Sequence, residues 1–210
     1  MHRFLLSVLF CFLVVGTWAQ EFSVQAVPDS IFQRMQGRSW PKDCTIRRAD
    51  LRYLRLSHVD AAKKEHVGEM VCNKAIANDL LEIFRELYRQ KYPIERIRLI
   101  DDYEADDERA MRDNNTSCFC YRRVSGTTKL SKHATGMAVD INTLYNPYVR
   151  TAKDGRRLVE PATATKYVDR RKSFPYKIVK GDLLYRLFLQ HGFKWGGSWR
   201  TVKDWQHFEK

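Results

Sequence analysis

The chain has 210 residues and a mass of 24.8 kDa, with 44% hydrophobic and 30% charged residues and a mean hydropathy of −0.51. That is enough apolar material to close a core, which excludes an intrinsically disordered chain, and a single long apolar run at the N-terminus excludes a protein that crosses a membrane repeatedly. Lys and Arg number 37 against 25 acids, a formal charge of +12 that attracts polyanions, whether nucleic acid, an anionic envelope or acidic lipid.

Residues 1–19 read as a secretory leader: Arg3 near the start, an apolar stretch from Phe4 to Val15, and Gly16-Thr17-Trp18-Ala19 as the cut site. The apolar run falls short of the ~20 residues a spanning helix needs. Export to the periplasm or beyond is expected, with residues 20–210 left as one domain free of repeats and linkers.

Pro28-Asp29-Ser30 ahead of Ile31, Phe32 and Met35, ended by Gly37, predicts a short capped helix. Leu51 to His58 alternates as a strand does, whereas Lys74 to Gln90 lines up Ile76, Leu80, Phe84, Leu87 and Tyr88 as the stripe of a core helix. A strand over Ile94 to Ile100 leads into the acidic stretch Asp101 to Glu108, read as a solvated helix start. Met137 to Ile141 predicts another strand, and Asp182 and Gly192 bracket a second long helix as N-cap and C′ residue. The interleaving lacks a βαβ rhythm, so an α+β fold with a mainly antiparallel sheet is expected. Cys44, Cys72, Cys118 and Cys120 follow the leader; an even count in an exported chain favours disulfides in one of three pairings. A zinc knot is the poorer reading because Cys118-Phe119-Cys120 is too tight, and buried free thiols are a third.

The chemistry concentrates in Ser131-Lys132-His133-Ala134-Thr135-Gly136-Met137-Ala138-Val139-Asp140. A strand over 137–141 turns Met137, Val139 and Ile141 to the core and Asp140 away from it, and a Thr135-Gly136 turn folds His133 back beside Asp140. Imidazole and carboxylate suit zinc at roughly 2.0–2.2 Å, and a catalytic ion wants three protein ligands and one open position. His207, in Asp204-Trp205-Gln206-His207-Phe208-Glu209, offers the third ligand, and Asp204 is a candidate general base for water in the open position. Either half alone is commonplace. S-x-H-x-x-G-x-A-x-D together with D-x-x-H-F-E is specific, and the absence of H-E-x-x-H excludes that class of zinc site.

At these residues the sequence resembles the M15 zinc peptidases, the D-alanyl-D-alanine carboxypeptidase and L-alanyl-D-glutamate endopeptidase group with its VanY-like enzymes. The likeness runs from about Gly68-Glu69 through the 74–90 helix, Asn114 to Ser117 and Phe119-Cys120-Tyr121-Arg122 to His207-Phe208-Glu209. It implies an antiparallel sheet flanked by helices, the fold shared with the hedgehog signalling domain. It further implies Zn2+ held by His133, Asp140 and His207, with Asp204 as catalytic acid or base, Arg122 polarising the scissile carbonyl, and Ser131 touching substrate in a peptidoglycan stem peptide. Spacing from Phe119 selects Arg122, yet Arg123 is adjacent and a strand would aim only one of them at the cleft. Asp204 stands where several D,D-dipeptidases carry glutamate, as in the endopeptidase and related carboxypeptidase branches.

Other features carry less. Trp195, Trp199 and Trp205 read either as core or as the wall of a substrate groove, with Trp205 the substrate-binding candidate. His58, His66 and His191 have no partner pattern, and Asn115-Thr116-Ser117 is a glycosylation triplet. The basic patches Arg47-Arg48, Arg156-Arg157 and Lys166 to Lys172 come without a nucleic-acid-binding motif, which leaves an anionic cell envelope as the expected polyanion. Two rivals to a cell-wall peptidase stand: a non-catalytic, zinc-stabilised binding or signalling module of the hedgehog-like fold, and a peptidase of toxin or host-directed type.

Overall fold

Two-residue periodicity along Leu51–Val59 builds a strand with two different apolar faces, and the first half of the molecule grows around it. The computed structural model describes residues 20–124 and 127–210, so the leader reading of residues 1–19 falls outside the described part. Strand β1 (Phe22–Ala26) is followed by helix α1 (Asp29–Met35), strands β2 (Leu51–Val59) and β3 (Glu65–Asn73), and helix α2 (Ala77–Arg89). The strands form an antiparallel meander, β1-β2-β3, with Phe22 opposite Leu56 and Leu54 opposite Met70. Even-numbered Leu54, Leu56, Met70 and Cys72 face α2 and pack on its Leu80, Ile83, Phe84 and Leu87. Odd-numbered Leu51, Tyr53 and Val71 face α1 and pack on Ile31, Met35 and Phe119. Each large apolar side chain removed from water contributes about 1.5–3 kcal/mol, so both faces hold the sheet between its helices.

The second half carries the functional residues on shorter pieces: β4 (Arg96–Ile97), α3 (Asp107–Arg112), β5 (Asn115–Thr116), β6 (Ala138–Asp140), β7 (Tyr148–Thr151), β8 (Arg157–Glu160), α4 (Leu183–Gln190), β9 (Lys194–Trp195), β10 (Lys203–Asp204) and β11 (His207–Glu209). They make two antiparallel three-stranded sheets, β6-β11-β9 and β10-β7-β8, beside a short parallel pair β4-β5. Behind β11, Phe208 stacks on Phe188 of α4 and joins Val139, Ile141, Leu184 and Trp195 in the α2 core. Among the described residues the architecture is mixed, with antiparallel sheets and few helices, consistent with the expected α+β class. No described helix is long and apolar enough to cross a membrane.

The helices start and stop where their caps dictate. Asp182 accepts the Tyr185 N–H at 2.7 Å, and Gly192 follows the C-cap at φ 81°. The 94–100 strand shrinks to two residues because a 3₁₀ turn begins at Ile100. The acidic stretch is only partly solvated, since Asp101 is buried and accepts the Ser39 N–H at 3.0 Å. β3 lacks clean alternation in the sequence and pairing to β2 makes it a strand, whereas β1, Phe22-Ser23-Val24-Gln25-Ala26, alternates strictly over only five residues and is not among the predicted strands.

The favoured disulfides do not form: Cys44, Cys72, Cys118 and Cys120 are all free, dispersed over apolar clusters whose desolvation pushes the thiols up, that of Cys120 to about 12. Asn115 is equally unavailable to glycosylation in the folded chain. It is buried, its amide donates to the Arg98 carbonyl and its oxygen accepts the Arg98 N–H, both at 3.0 Å.

Gly136 ends the turn that carries His133, at φ 67°, and a Cβ there would lie 2.7 Å from the Asn73 nitrogen. Gly136→Ala is expected to cost about 2 kcal/mol or more, from left-handed strain and a clash with backbone that cannot rotate away. Urea unfolding would show this as a lowered midpoint at unchanged slope.

Candidate metal centre

Strand pairing puts the first two groups together. His207 on β11 is the register partner of Asp140 on β6, so both side chains leave the same face of the pair while their neighbours Phe208 and Val139 enter the core. His133 arrives from a 3₁₀ turn, Lys132–Thr135, whose N-cap Ser131 accepts the His133 N–H at 3.2 Å. The chain enters that turn antiparallel to residues 120–123: Ser131 N–H donates to the Arg122 carbonyl and Cys120 N–H to the His133 carbonyl.

The three side chains converge closely. His133 Nε2 lies 3.2 Å from His207 Nδ1 and 3.1 Å from Asp140 Oδ2, and His207 Nδ1 lies 3.0 Å from Asp140 Oδ1. Ligand atoms at 2.0–2.2 Å around a tetrahedral zinc are separated by roughly 3.3–3.6 Å, so three corners of such a site are nearly in place. The outer nitrogens are already committed. His133 Nδ1 donates to the Cys118 carbonyl at 2.7 Å, and His207 Nε2 donates to Glu209 Oε2 at 3.2 Å. Those donations direct the lone pairs of His133 Nε2 and His207 Nδ1 towards each other and towards a buried carboxylate, an arrangement that calls for a cation. The donor set of two nitrogens and one oxygen fits zinc, and it is the metal-ligating cluster found among the described residues.

Protonation follows the same electrostatics. Burial would depress the His207 imidazole, but hydrogen bonds to Asp140 and Glu209 outweigh it and push it up to about 10. Burial likewise opposes ionisation of Asp140, yet the His133 charge and hydrogen bonds from both imidazoles hold its carboxyl well below the carboxylate range.

Asp204 approaches from β10 through a bend at Trp205-Gln206. Gly196 permits the approach, because a Cβ there would stand 2.7 Å from the Asp204 carbonyl and 3.3 Å from His207 Cβ. The Asp204 Oδ1 atom is buried and has no hydrogen-bond partner, and burial, reinforced by the charge of Asp140, raises the carboxyl to about 7. His133, Asp140, Asp204, His207, Ser131 and Arg122 all line one cavity of about 480 Å³.

Arg122, not Arg123, faces it. Arg122 is paired with Asp107 inside the cavity, while the exposed Arg123 turns back to the Thr128 carbonyl. Asp107, at the start of α3, belonged to the stretch read as solvated; its burial and its partner depend on a contact fifteen residues away in sequence. Trp205 is a correction. Its ring leaves the cavity, packs on the core and lies under the Arg170 guanidinium at 4.8 Å, because residues 205–206 bend out of strand conformation and break the alternation that would align it with His207. Trp199 takes the cavity wall instead, 5.3 Å from the His207 ring. Glu209, Tyr148 and Glu160 line the cavity as well; only Glu209 carried a sequence signal, the final position of the H-F-E run. His58, His66 and His191 make structural contacts to the Ile94 carbonyl, Asp60 and Asp79.

Residues 125–210 match the family model described as D-alanyl-D-alanine carboxypeptidase, one of the M15 peptidases. No curated protein and no solved structure matches the chain. The matched segment contains His133, Asp140, Asp204 and His207, and it stops short of Arg122 and Asp107. The match supports an M15 family peptidase.

Proposed function

We propose that the protein is an exported, zinc-dependent peptidase that hydrolyses an amide bond in the peptide stems of bacterial cell wall, as a D-alanyl-D-alanine carboxypeptidase or a related endopeptidase. The observation that carries this reading is the convergence of three donor atoms at 3.0–3.2 Å beside a buried carboxylate with an unpartnered oxygen. A module that kept the cluster for stability alone would gain nothing from Asp204, since a buried, unsatisfied carboxyl costs free energy. Its retention supports catalysis over the binding-module reading. The family match supports the cell-wall substrate, and the leader reading supports delivery to it.

His133, Asp140 and His207 would hold the metal. A zinc ion in such a site supplies Lewis acidity, which acidifies water and polarises a carbonyl. Asp204 accepts the proton released by the attacking water and returns it to the leaving amine; a carboxyl lifted towards neutrality by burial is suited to both transfers. Arg122 presents a fixed positive charge to the developing oxyanion, and the Asp107 carboxylate keeps that guanidinium from wandering. Ser131 stands at the cavity wall; its hydroxyl oxygen accepts the His133 N–H, which fixes the turn and leaves the O–H proton to donate to a bound substrate. Glu209 sets the orientation of the His207 ring.

The direct test is incubation of the leaderless chain with synthetic stem peptides, with and without a chelator, read by mass spectrometry. Zinc-restorable cleavage is expected, and no cleavage of any stem peptide overturns the reading. Asp204→Asn should keep its zinc by elemental analysis and lose about 10²- to 10⁴-fold in kcat; turnover within tenfold of the parent removes Asp204 from proton transfer. Glu209→Gln should weaken zinc about 10- to 100-fold in a chromophoric chelator competition while folding normally, and an unchanged dissociation constant would show that the His207 ring needs no such support.

A further inference from the structure

The bend that leads from Asp204 on β10 to His207 on β11 is braced from behind by a residue with no part in the chemistry above. Arg170 lies between β8 and α4, and its guanidinium makes no ion pair among the described residues. It commits four of its five N–H groups to neutral acceptors instead. Nη1 donates to the Tyr145 and Tyr167 carbonyls at 2.7 and 3.3 Å, and Nη2 to Asn146 Oδ1 and the Ile178 carbonyl at 2.9 and 2.8 Å. The guanidinium also lies 5.1 Å from the centre of the Phe174 ring and 4.8 Å from that of Trp205. Burial pushes it down to about 10, as expected of a cation held away from water without a compensating anion. That burial costs free energy, which is offset by what the side chain ties together.

It ties together both flanks of one cross-strand pair. Tyr145 and Asn146 lead through Pro147 into β7, where Tyr148 stands opposite Asp204. Trp205 follows Asp204, and its N–H points at the Pro147 carbonyl at 3.5 Å. Asn146 is fully buried, and its Oδ1 also accepts the Ile178 N–H at 2.9 Å, so the acceptor for Arg170 cannot drift. β10 depends on such support because it is an edge strand of two residues, paired only to β7. His207 does not. Its strand β11 is central, paired to β6 on one side and β9 on the other, and the Trp205 carbonyl just before it accepts the Trp195 indole N–H at 2.9 Å.

Resting on the peptidase reading, we infer that Arg170 is a positioning residue for Asp204: bound to the 145–146 segment on one side and to the Trp205 ring on the other, it fixes the bend after β10 and with it the Asp204 carboxylate beside the metal centre. Arg170 touches no reacting atom. Its effect runs through the backbone, where displacing a catalytic group by about 1 Å is enough to lose about 10²-fold in rate. Lysine is no replacement, since one ammonium on a flexible stem cannot span four acceptors on three segments.

The test compares the zinc-loaded leaderless chain with its Arg170→Gln variant. Turnover of a stem peptide should fall about 10- to 100-fold in kcat, with KM and the zinc dissociation constant within about threefold of the parent. In an Asp204→Asn background the same substitution should change the residual rate by less than about twofold, because a residue that acts through Asp204 has nothing left to act on. Amide hydrogen exchange, read by NMR, should quicken at least about tenfold at residues 203–206 and stay within about threefold at 207–209. An undiminished kcat, loss of zinc together with turnover, or an equal loss in both backgrounds overturns the inference, since each describes a side chain that serves the fold alone. Trp205→Leu removes the ring and leaves Arg170 its four acceptors; it should give the same pattern, and it decides the matter if Arg170→Gln does not fold. Absence of hydrolysis by the unsubstituted enzyme overturns the peptidase reading and leaves the exchange measurement to judge the brace: quickening confined to 203–206 sustains it, and uniform or absent quickening overturns it.

Discussion

Two imidazole lone pairs and a carboxylate held within 3.2 Å of one another, largely shielded from water, repel unless a positive charge lies between them. Much of the second half of the chain can be understood as the scaffold that tolerates this arrangement. The β6-β11 ladder fixes His207 opposite Asp140, and its reverse side, Phe208 and Val139, is driven into the α2 core by the ordinary gain of apolar burial. The same strands that cost free energy on one face recover it on the other.

The second requirement is that the rings cannot rotate to relieve the repulsion. His133 is held by the Cys118 carbonyl and His207 by Glu209, each through the nitrogen remote from the cluster. Ring orientation is thereby set by groups that touch no substrate. Two glycines complete the geometry from outside: Gly136 lets the His133 turn lie against the end of β3, and Gly196 lets Asp204 lie against His207. These are close backbone approaches, which leave no room for a side chain of any kind.

Charge around the cavity divides into spent and unspent. Arg122 with Asp107 and His207 with Glu209 are neutralised in place, so their effect is positional. Among the described residues Asp204 Oδ1, Arg150, Glu160 and the exposed Lys129 line the cavity without hydrogen-bond or ion-pair partners, and it is the unpaired groups that a ligand can engage.

The sequence by itself pointed to the three side chains that cluster, to the strand face from which Asp140 emerges and to the turn that carries His133, because alternation along Ala138–Asp140 and the cap and turn residues act over a few bonds. Helices α1, α2 and α4 were legible for the same reason, from apolar stripe and caps. Only the tertiary structure decided between Arg122 and Arg123, replaced Trp205 by Trp199 at the cavity wall, and drew Asp107 inward from an acidic stretch. It also left all four thiols free, Cys72 and Cys118 in one apolar cluster and Cys44 and Cys120 in two others, where an even count had suggested bonds. Each of those outcomes depends on which distant segment comes to lie alongside, and that is settled by packing and loop closure over the whole chain, for which local periodicity carries no signal.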